Sequence, residues 1–227
     1  RSSDLADYKA IALRAIAPFI GDALPAGALD RALDRLTAGF DHAAVTPLVE
    51  MEPGLFVLEL FHGPTLAFKD YALQLLGRLF DYVLEQRGER VTIVGATSGD
   101  TGAAVASAFH RRPGFRVVIL YPHGRVSPRQ AHGLECWGDN VHAYRVDGSF
   151  DDCQRLAKQA LNDAELRSTV PLATANSISL GRLLPQMAYY AQAAARHFSA
   201  HGESLGFIIP SGNLGNEIGR ASCRERV

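Results

Sequence analysis

Lys69 closes an apolar run in the stretch FHGPTLAFKD, residues 61–70. The amine of a free lysine has a pKa of about 10.4, and desolvation beside Leu66 and Phe68 would lower this value toward neutrality. The uncharged amine is a nucleophile that forms a Schiff base with a carbonyl compound. The alternative is a lysine whose stem packs on apolar surface while its amine reaches water from a helix N-terminus. This stretch by itself leaves both possibilities open.

A glycine-rich stretch, GATSGDTGAA (95–104), lies between a predicted strand and a predicted helix. Small residues let a ligand approach the backbone, and the N–H groups at the start of a helix attract an anion. The spacing differs from the G-x-G-x-x-G of dinucleotide-binding folds, and no Gly-Lys-Ser/Thr follows as in a P-loop. A turn with a purely structural role is the alternative.

The stretch PSGNLGN (210–216) follows the predicted strand LGFIIP (205–210). Its two glycines, two asparagines and one serine bring backbone N–H donors and side-chain amides together, as a phosphate-binding loop requires. The alternative is an ordinary Asn-Gly turn, since these residue types also dominate loops.

Strands that alternate with helices must position these three stretches. The pattern predicts short helices within 6–40, a buried strand LFVLEL (55–60), and an amphipathic helix from about Ala67 to Gln86 that Gly88 ends. Further strands are predicted at 90–96, 115–122, 140–148 and 205–210, and further helices at 100–112, 126–138, 149–163 and 179–198. This alternation is typical of an α/β protein, in which ligands bind at the carboxyl ends of parallel strands.

The overall composition narrows the classes of protein to which the chain can belong. It has 227 residues, of which 47% are hydrophobic and 21% charged, with a formal net charge of -1. These values are typical of a soluble globular protein, and a chain without a basic stripe is not expected to bind nucleic acid. The longest apolar runs are far too short to span a bilayer, and no leader is visible, so we expect a cytoplasmic protein without a membrane partner.

The remaining candidate groups favour structural roles. The odd number of cysteines without CxxC spacing predicts reduced thiols rather than disulfides, and the spacing of the histidines matches no zinc site, so no metal is expected. Tyr189 and Tyr190 are interpreted as core packing, and Asp152 as part of an N-terminal cap that begins at Ser149. His62 either contacts a ligand or only forms hydrogen bonds within its own turn. The cysteines and histidines concerned are Cys136, Cys153, Cys223, His123, His132 and His142.

The two ends have a different character from the rest of the chain. RSSDL (1–5) and IGRASCRERV (218–227) resemble translated sequencing adapters, and the second lacks the apolar periodicity of a helix. We therefore expect both ends to be non-native and the chain to be a fragment.

The ordered motifs of the chain resemble those of threonine synthases, a family of fold type II pyridoxal phosphate-dependent enzymes. The motifs are ELFHGPTLAFKD (59–70), GATSGDTGAA (95–104), GSFDDCQ (148–154), ANSISLGRLLPQ (175–186) and PSGNLGN (210–216). The resemblance runs from about residue 40 to residue 216. It implies pyridoxal 5'-phosphate as cofactor and O-phosphohomoserine as a small-molecule substrate. The implied reaction converts O-phosphohomoserine and water to threonine and phosphate. A lysine, an anion-binding turn and a phosphate-binding loop are also the parts that such a cofactor needs.

The resemblance assigns a role to each candidate site residue. Lys69 would be catalytic and would bind the cofactor covalently, while the loop at 212–216 would bind its phosphate. Asp100 would also contact the cofactor. Arg182 would face the substrate, where a planar guanidinium suits a phosphate leaving group. The complete cofactor-binding set is Lys69, Asp100, Gly212, Asn213, Leu214, Gly215 and Asn216, and the substrate-binding set is Thr97, Ser98, Gly99, Thr101, Asn176, Ser177 and Arg182.

The resemblance also implies a fold and a domain order. The fold would be that of the tryptophan synthase β-like enzymes, with parallel sheets flanked by helices and the cofactor in a cleft between two domains. Residues 6–75 would begin a large domain, 76–171 would form a small α/β domain, and 172–217 would return to the large one.

Two other functions stay open at this point. The chain could be another fold type II enzyme, a dehydratase or a sulfhydrylase, although Asp100 stands where sulfhydrylases usually have asparagine. It could also be a non-catalytic fragment that binds phosphorylated ligands. The oligomeric state is not predicted by the sequence.

Overall fold

The computed structural model describes residues 7–175, 180–210 and 216–217, and the statements below concern these residues. The helices are α1 (Tyr8–Ile20), α2 (Ala28–Thr37), α3 (Lys69–Arg87), α4 (Asp100–Phe109), α5 (Pro128–Glu135), α6 (Phe150–Asn162), α7 (Ala164–Thr169) and α8 (Leu180–His201). The strands are β1 (Leu48–Glu52), β2 (Leu55–Leu58), β3 (Val91–Ala96), β4 (Phe115–Pro122), β5 (Val141–Val146) and β6 (Leu172–Ala173).

The chain divides into two compact units. The first has the limits Arg1–Leu75 and Ser177–Val227, and the second has the limits Leu76–Asn176. The domain limits given by the resemblance stay a prediction. One difference in detail is that β6, placed in the large domain by that prediction, pairs with β3 of the second unit.

Helix packing forms the core of the first unit. α1 packs against α8 and α2, and the side chain of Asp7 caps α1 by accepting a hydrogen bond from the Lys9 N–H at 3.0 Å. An aromatic cluster lies at the centre, where the Tyr71 ring contacts those of Phe40 and Tyr189 at centroid distances of 4.5 and 5.6 Å. The Tyr71 hydroxyl donates to the Val45 carbonyl at 2.9 Å, so this buried polar group is satisfied.

The only sheet among the described residues of the first unit is an antiparallel pair of strands, β1 and β2. The sequence predicts a buried strand at 55–60, but β2 alternates between exposed and half-buried residues, so the predicted burial is wrong. One face of the pair packs through Phe56 against His197 of α8, with ring centroids 5.0 Å apart. The other face turns Val49 and Val57 to solvent.

The second unit is built on a parallel four-stranded sheet in the order β5-β4-β3-β6. Its strands are short apolar runs, and the helices α4, α5 and α6 that follow successive strands pack against the sheet or against one another. This is the α/β arrangement that the alternation predicts, with a parallel sheet flanked by helices. Consequently, the loop after β3 lies at the carboxyl end of an inner strand.

The sequence pattern locates most of these elements but not all. Helix α3 ends at Arg87, just before the predicted stop at Gly88, and Ser149 caps α6 with Asp152 as predicted. The strand predicted at 205–210 is wrong, because these residues form no regular element. Ile208 is 97% exposed there, and no strand of the described chain lies alongside to pair with its backbone.

Candidate active site

The turn before α3 is organised by the buried carboxylate of Asp70. Its Oδ2 accepts a hydrogen bond from the Thr65 N–H at 2.8 Å, and its Oδ1 accepts one from the Thr65 hydroxyl at 2.7 Å. Burial raises the pKa of Asp70, while the donors of Thr65 and Ala67 and the charge of Lys69 pull the pKa back down. The carboxylate therefore fixes the backbone on the N-terminal side of Lys69.

Gly63 allows the turn to close over Asp70. A Cβ atom at this position would lie 2.6 Å from both Cβ and Oδ2 of Asp70, which is closer than real Cβ atoms approach other atoms. Leu66, inside the turn, has a positive φ of 59°, a conformation that few side-chain-bearing residues adopt. Gly63, Thr65 and Asp70 thus explain why HGPTLAFKD folds as a tight turn that leads into a helix.

Lys69 is the first residue of α3 and is half-buried. Its Nζ lies 4.7 Å from the centroid of the Phe68 ring, at which distance the ring face attracts the amine when it is charged. Leu66 is 54% exposed, so it gives the amine less shielding than the sequence predicts. Local shielding of Lys69 therefore depends on Phe68 more than on Leu66.

His62 is held by its own neighbourhood. Its Nε2 lies 2.7 Å from Glu59 Oε2, and its ring contacts those of Phe61 and His42 at centroid distances of 4.7 and 4.9 Å. The sequence leaves open whether His62 contacts a ligand or only forms hydrogen bonds within its own turn. These contacts favour the second possibility.

In the second unit, Thr97 organises the loop between β3 and α4. Its Oγ1 accepts hydrogen bonds from the Gly99 and Gly102 N–H groups, each at 3.0 Å, and its hydroxyl donates to the Gly99 carbonyl at 3.0 Å. A hydroxyl can make one donation and two acceptances, so the side chain is fully used within the loop. The exposed side chains of the loop are Ser98 and Asp100. The substrate-binding role of Thr97 stays a prediction.

Gln130 of α5 reaches this loop, a contact that the sequence does not reveal. Its Oε1 accepts from the Ser127 N–H at 3.1 Å in the capping box of α5, and its Nε2 donates to Asp100 Oδ1 at 3.4 Å. Gly99 has a φ of 151°, and a Cβ there would lie 2.3 Å from Gln130 Nε2. The box SPRQ is visible in the sequence, but the second contact joins residues 30 positions apart.

Arg182 lies near the start of α8 and is only 3% exposed. Burial lowers the pKa of its guanidinium to about 10. Its backbone carbonyl accepts a hydrogen bond from Gln186 Nε2 at 2.7 Å, one turn further along the helix. A buried, charged guanidinium is a planar donor suited to phosphate or carboxylate.

Asn216 is the described member of the predicted phosphate-binding loop. Its Oδ1 accepts a hydrogen bond from the Tyr190 hydroxyl at 2.8 Å and is also within bonding distance of the Tyr189 hydroxyl. Both tyrosines are buried, as the sequence predicts for core residues. The predicted site residues Asn176, Ser177, Gly212, Asn213, Leu214 and Gly215 lie outside the described residues.

The site residues thus fall into local groups within each unit. In the first unit, Lys69 stands beside Asp70, and Asn216 beside the two tyrosines; in the second, residues 97–101 stand beside Gln130. Within the described ranges, no group of three or more His, Cys, Asp and Glu side chains is arranged to hold a metal ion. No helix of the described chain is both long enough and apolar enough to cross a membrane.

Several solved structures are similar to this chain. The crystal structure of PLP-bound threonine synthase from Brucella melitensis is 46% identical, with a TM-score of 0.88 over 96% of this chain and 47% of that one. Threonine synthase from yeast is 35% identical with a TM-score of 0.89, over 96% of this chain and 46% of that one. A diaminopropionate ammonia lyase from Escherichia coli, at 19% identity and a TM-score of 0.58, shares the fold.

Curated proteins give the same result. The threonine synthase of Pseudomonas aeruginosa is 42% identical over 210 residues, which is 92% of this chain and 45% of that protein. The threonine synthase of Escherichia coli is 41% identical, over 92% of this chain and 47% of that protein. The chain therefore spans somewhat less than half the length of these relatives. The family model described as "Pyridoxal-phosphate dependent enzyme" matches residues 40–221, and the chain belongs to this family of pyridoxal phosphate-dependent enzymes.

Proposed function

We propose that this chain has the function of a threonine synthase, a lyase that converts O-phosphohomoserine and water to threonine and inorganic phosphate. In this reaction the phosphate leaves from Cγ and the hydroxyl of water is added at Cβ. The observation that carries the proposal is the identity to threonine synthases along nearly the whole chain. The more distant lyase shares only the fold and does not bear on the substrate.

The described residues fit pyridoxal 5'-phosphate, the cofactor of the family. Covalent attachment of its aldehyde needs a primary amine, and the half-buried amine of Lys69 lies at the start of a helix held in place by Asp70. Its phosphate needs N–H donors, and Asn216 is the described member of a Gly- and Asn-rich stretch. When bound, the cofactor withdraws electrons from the α-carbon of an amino acid and makes its proton acidic.

Lys69 is the proposed proton carrier of the reaction. When it is not bonded to the cofactor, the Lys69 amine could accept protons from Cα and Cβ and return protons to Cγ and Cα. Proton transfer by this amine requires that the backbone from which the Lys69 side chain starts is held in place. The turn locked by Gly63, Thr65 and Asp70 holds this backbone in place, because it sets the direction in which α3 starts.

Arg182 is proposed to bind the phosphate of the substrate. With a pKa of about 10 it remains charged at neutral pH, and burial keeps water from competing for its donors. Its position is stabilised by the Gln186 side chain on its carbonyl. The charge of a departing phosphate would be balanced by such a group.

The loop after β3 is proposed to bind the carboxylate of the substrate. The first turn of α4 presents N–H groups at a helix N-terminus, where an anion is favoured. Ser98 adds an exposed hydroxyl, while Thr97 keeps the loop in shape. Asp100 is held by Gln130 and is proposed to face the cofactor.

Attachment of the cofactor can be tested sharply because the chain has only three lysines, Lys9, Lys69 and Lys158. Lys9 lies 2.6 Å from Asp34 Oδ1 in an ion pair, and Lys158 is exposed on α6. After incubation with pyridoxal 5'-phosphate and borohydride reduction, peptide mapping should find the pyridoxyl group at Lys69. The Lys69→Ala variant should lose the adduct and the visible absorption band, and the Lys158→Ala variant should keep both.

The activity itself is tested by incubation with O-phosphohomoserine and the cofactor, with threonine and phosphate measured together. Equal amounts of the two products support the proposal. Release of a keto acid would replace it by a dehydratase, and sulfide-dependent formation of a thiol would replace it by a sulfhydrylase. A cytoplasmic location is part of the same proposal, and cell fractionation tests it.

A further inference from the structure

One loop, residues 40–46 between α2 and β1, is bonded to both sides of the turn that leads into α3. On the N-terminal side of the turn, the His62 carbonyl accepts a hydrogen bond from the Asp41 N–H at 3.0 Å. On the C-terminal side, in the first turn of α3, the Tyr71 hydroxyl donates to the Val45 carbonyl at 2.9 Å. The start of α3 therefore lies between two attachments to the same loop.

The direction of both hydrogen bonds follows from the chemistry of the partners. A backbone carbonyl can only accept, so the Tyr71 hydroxyl donates to Val45 and the Asp41 N–H donates to His62. The Tyr71 side chain is fully buried, so water cannot take the place of its partner. Burial also raises the pKa of Tyr71 above its ordinary value, and the hydroxyl therefore keeps its proton at neutral pH.

The 40–46 loop is also bonded to α8. The Thr46 hydroxyl donates to Gln192 Oε1, and Gln192 Nε2 donates to the Ala44 carbonyl at 3.4 Å. The side chains of Thr46 and Gln192 are both buried. The loop is thus a hydrogen-bonded connection between α8 and the turn before α3.

Val45 shows that the loop is held in an unfavourable backbone conformation. Its φ is 60°, which is rare for a β-branched residue. Two hydrogen bonds close the backbone around it, from the Val45 N–H to the His42 carbonyl at 2.8 Å and from the Thr46 N–H to the Ala44 carbonyl at 2.6 Å. Such a conformation persists only where the surroundings impose it. Here it presents the Val45 carbonyl to Tyr71, so the shape of the loop and the attachment of α3 depend on each other.

We propose that the 40–46 loop sets the position of Lys69 relative to α8, with Tyr71 and Thr46 as positioning residues. Because α8 carries Arg182, the loop keeps the Lys69 amine at a fixed separation from that guanidinium within the first unit. The consequence for catalysis rests on the proposed function, which assigns the cofactor to Lys69 and the substrate phosphate to Arg182. The attachment of the turn rests only on the contacts of the loop.

Amide hydrogen exchange in the protein without cofactor tests the attachment. Tyr71→Phe keeps the ring and removes only the hydroxyl. It should speed exchange of the Asp41 and Thr65 N–H groups, which lie on the other side of the turn, by about 10-fold. The Ile11 N–H, bonded within α1 of the same unit, should exchange at its native rate. Unchanged exchange at either Asp41 or Thr65, or a rise matched by Ile11, overturns the proposal.

Thr46→Val is the second variant, because it removes the hydroxyl bonded to α8 and leaves the bond between Tyr71 and Val45 in place. It should speed exchange of the same two N–H groups by about 3- to 10-fold, since the position of the loop depends on α8. The matched control is Tyr8→Phe, which removes a buried tyrosine hydroxyl from the same aromatic cluster, one without a hydrogen bond in the described part of the chain. Native exchange in Thr46→Val, or equal acceleration in the control, contradicts the role of the loop.

The effect on the amine is measured with pyridoxal 5'-phosphate and borohydride, as the rate of pyridoxyl labelling at Lys69 relative to Lys158 in the same sample. Tyr71→Phe should lower this ratio about 10-fold, because a displaced amine meets the aldehyde less often, while Tyr8→Phe should keep the native ratio. A native ratio in Tyr71→Phe overturns the positioning role. A native protein that takes no label at Lys69 refutes the proposed function instead, and accelerated exchange at Asp41 would still support the attachment of the turn.

Discussion

At the scale of single residues, the backbone next to Lys69 is held by a carboxylate that is buried and forms its hydrogen bonds with the protein rather than with water. Asp70 is fully buried, and the donors of Thr65 offset only part of its cost of desolvation. Because burial raises the pKa of Asp70 above its unfolded value, its contribution to stability is fully present below the unfolded pKa. It is lost as the pH rises through the folded pKa.

The turn should not tolerate a side chain at Gly63. Gly63→Ala is expected to destabilise the protein by about 2 kcal/mol, because the new Cβ meets Asp70 at 2.6 Å and the turn must open. Gly206→Ala is the control, since a Cβ there meets no atom within 4 Å. Urea unfolding checks the pair, and equal midpoints would contradict the close packing described for this turn.

At the scale of elements, one ionic cluster joins α5 to β4 and β5. Arg145 donates to Glu135 through Nε at 2.7 Å and to its second oxygen at 2.8 Å, and it also donates to the Tyr121 hydroxyl at 2.9 Å. The Tyr121 hydroxyl donates to Glu135 as well. Hydrogen bonds from Arg145 and Tyr121 lower the pKa of Glu135 to about 2.

This cluster predicts a dependence of stability on pH. The folded pKa of Glu135 is lower than its unfolded value of 4.5, so its stabilising effect is present above pH 4.5 and is lost as the pH falls toward 2. Glu135→Gln should therefore be less stable than the native protein at pH 7, and the difference should shrink at pH 3. Urea unfolding at both pH values measures it. A difference that stays constant or grows on acidification would rule out the ionic origin.

The elements that the sequence predicts correctly are those defined by local chemistry. The cap formed by Ser149 and Asp152 is readable because both partners lie within one helical turn. A strand needs a partner as well as an apolar run, which is why the pattern at 205–210 fails. Gln130 and the burial of Arg182 escape sequence reasoning for the same reason, since both depend on residues brought close only by tertiary packing.

At the scale of the whole molecule, the second unit has its own sheet, and the two-residue strand β6 forms one edge of that sheet. Leu172 and Ala173 of β6 pair with Thr92 and Ile93, and the Thr92 N–H donates to the Pro171 carbonyl at 2.8 Å. A limit at residue 171, the one that the resemblance gives, would remove this strand from the sheet. The limit at Asn176 keeps it.

Fragments of the chain can distinguish these limits. Residues 76–176 should unfold cooperatively in urea and be about 1–2 kcal/mol more stable than residues 76–171, because the shorter fragment loses the β6 hydrogen bonds and the burial of Leu172. Thr174→Ala in the longer fragment is the control, since Thr174 is exposed and lies outside the strand. Equal stabilities of the two fragments would show that β6 adds nothing to the sheet.

The strand order β5-β4-β3-β6 has a consequence for how the chain is made. As the ribosome releases the polypeptide from its N-terminus, β3, β4 and β5 can assemble in the order of their synthesis. The edge of β3 that faces away from β4 has no pairing strand until about eighty further residues have emerged, because the strand that pairs with this edge, β6, begins only at Leu172. During that interval the unpaired N–H and C=O groups of β3 can pair with a strand of another chain, which leads to aggregation. We therefore expect this stage of synthesis to depend most on chaperones.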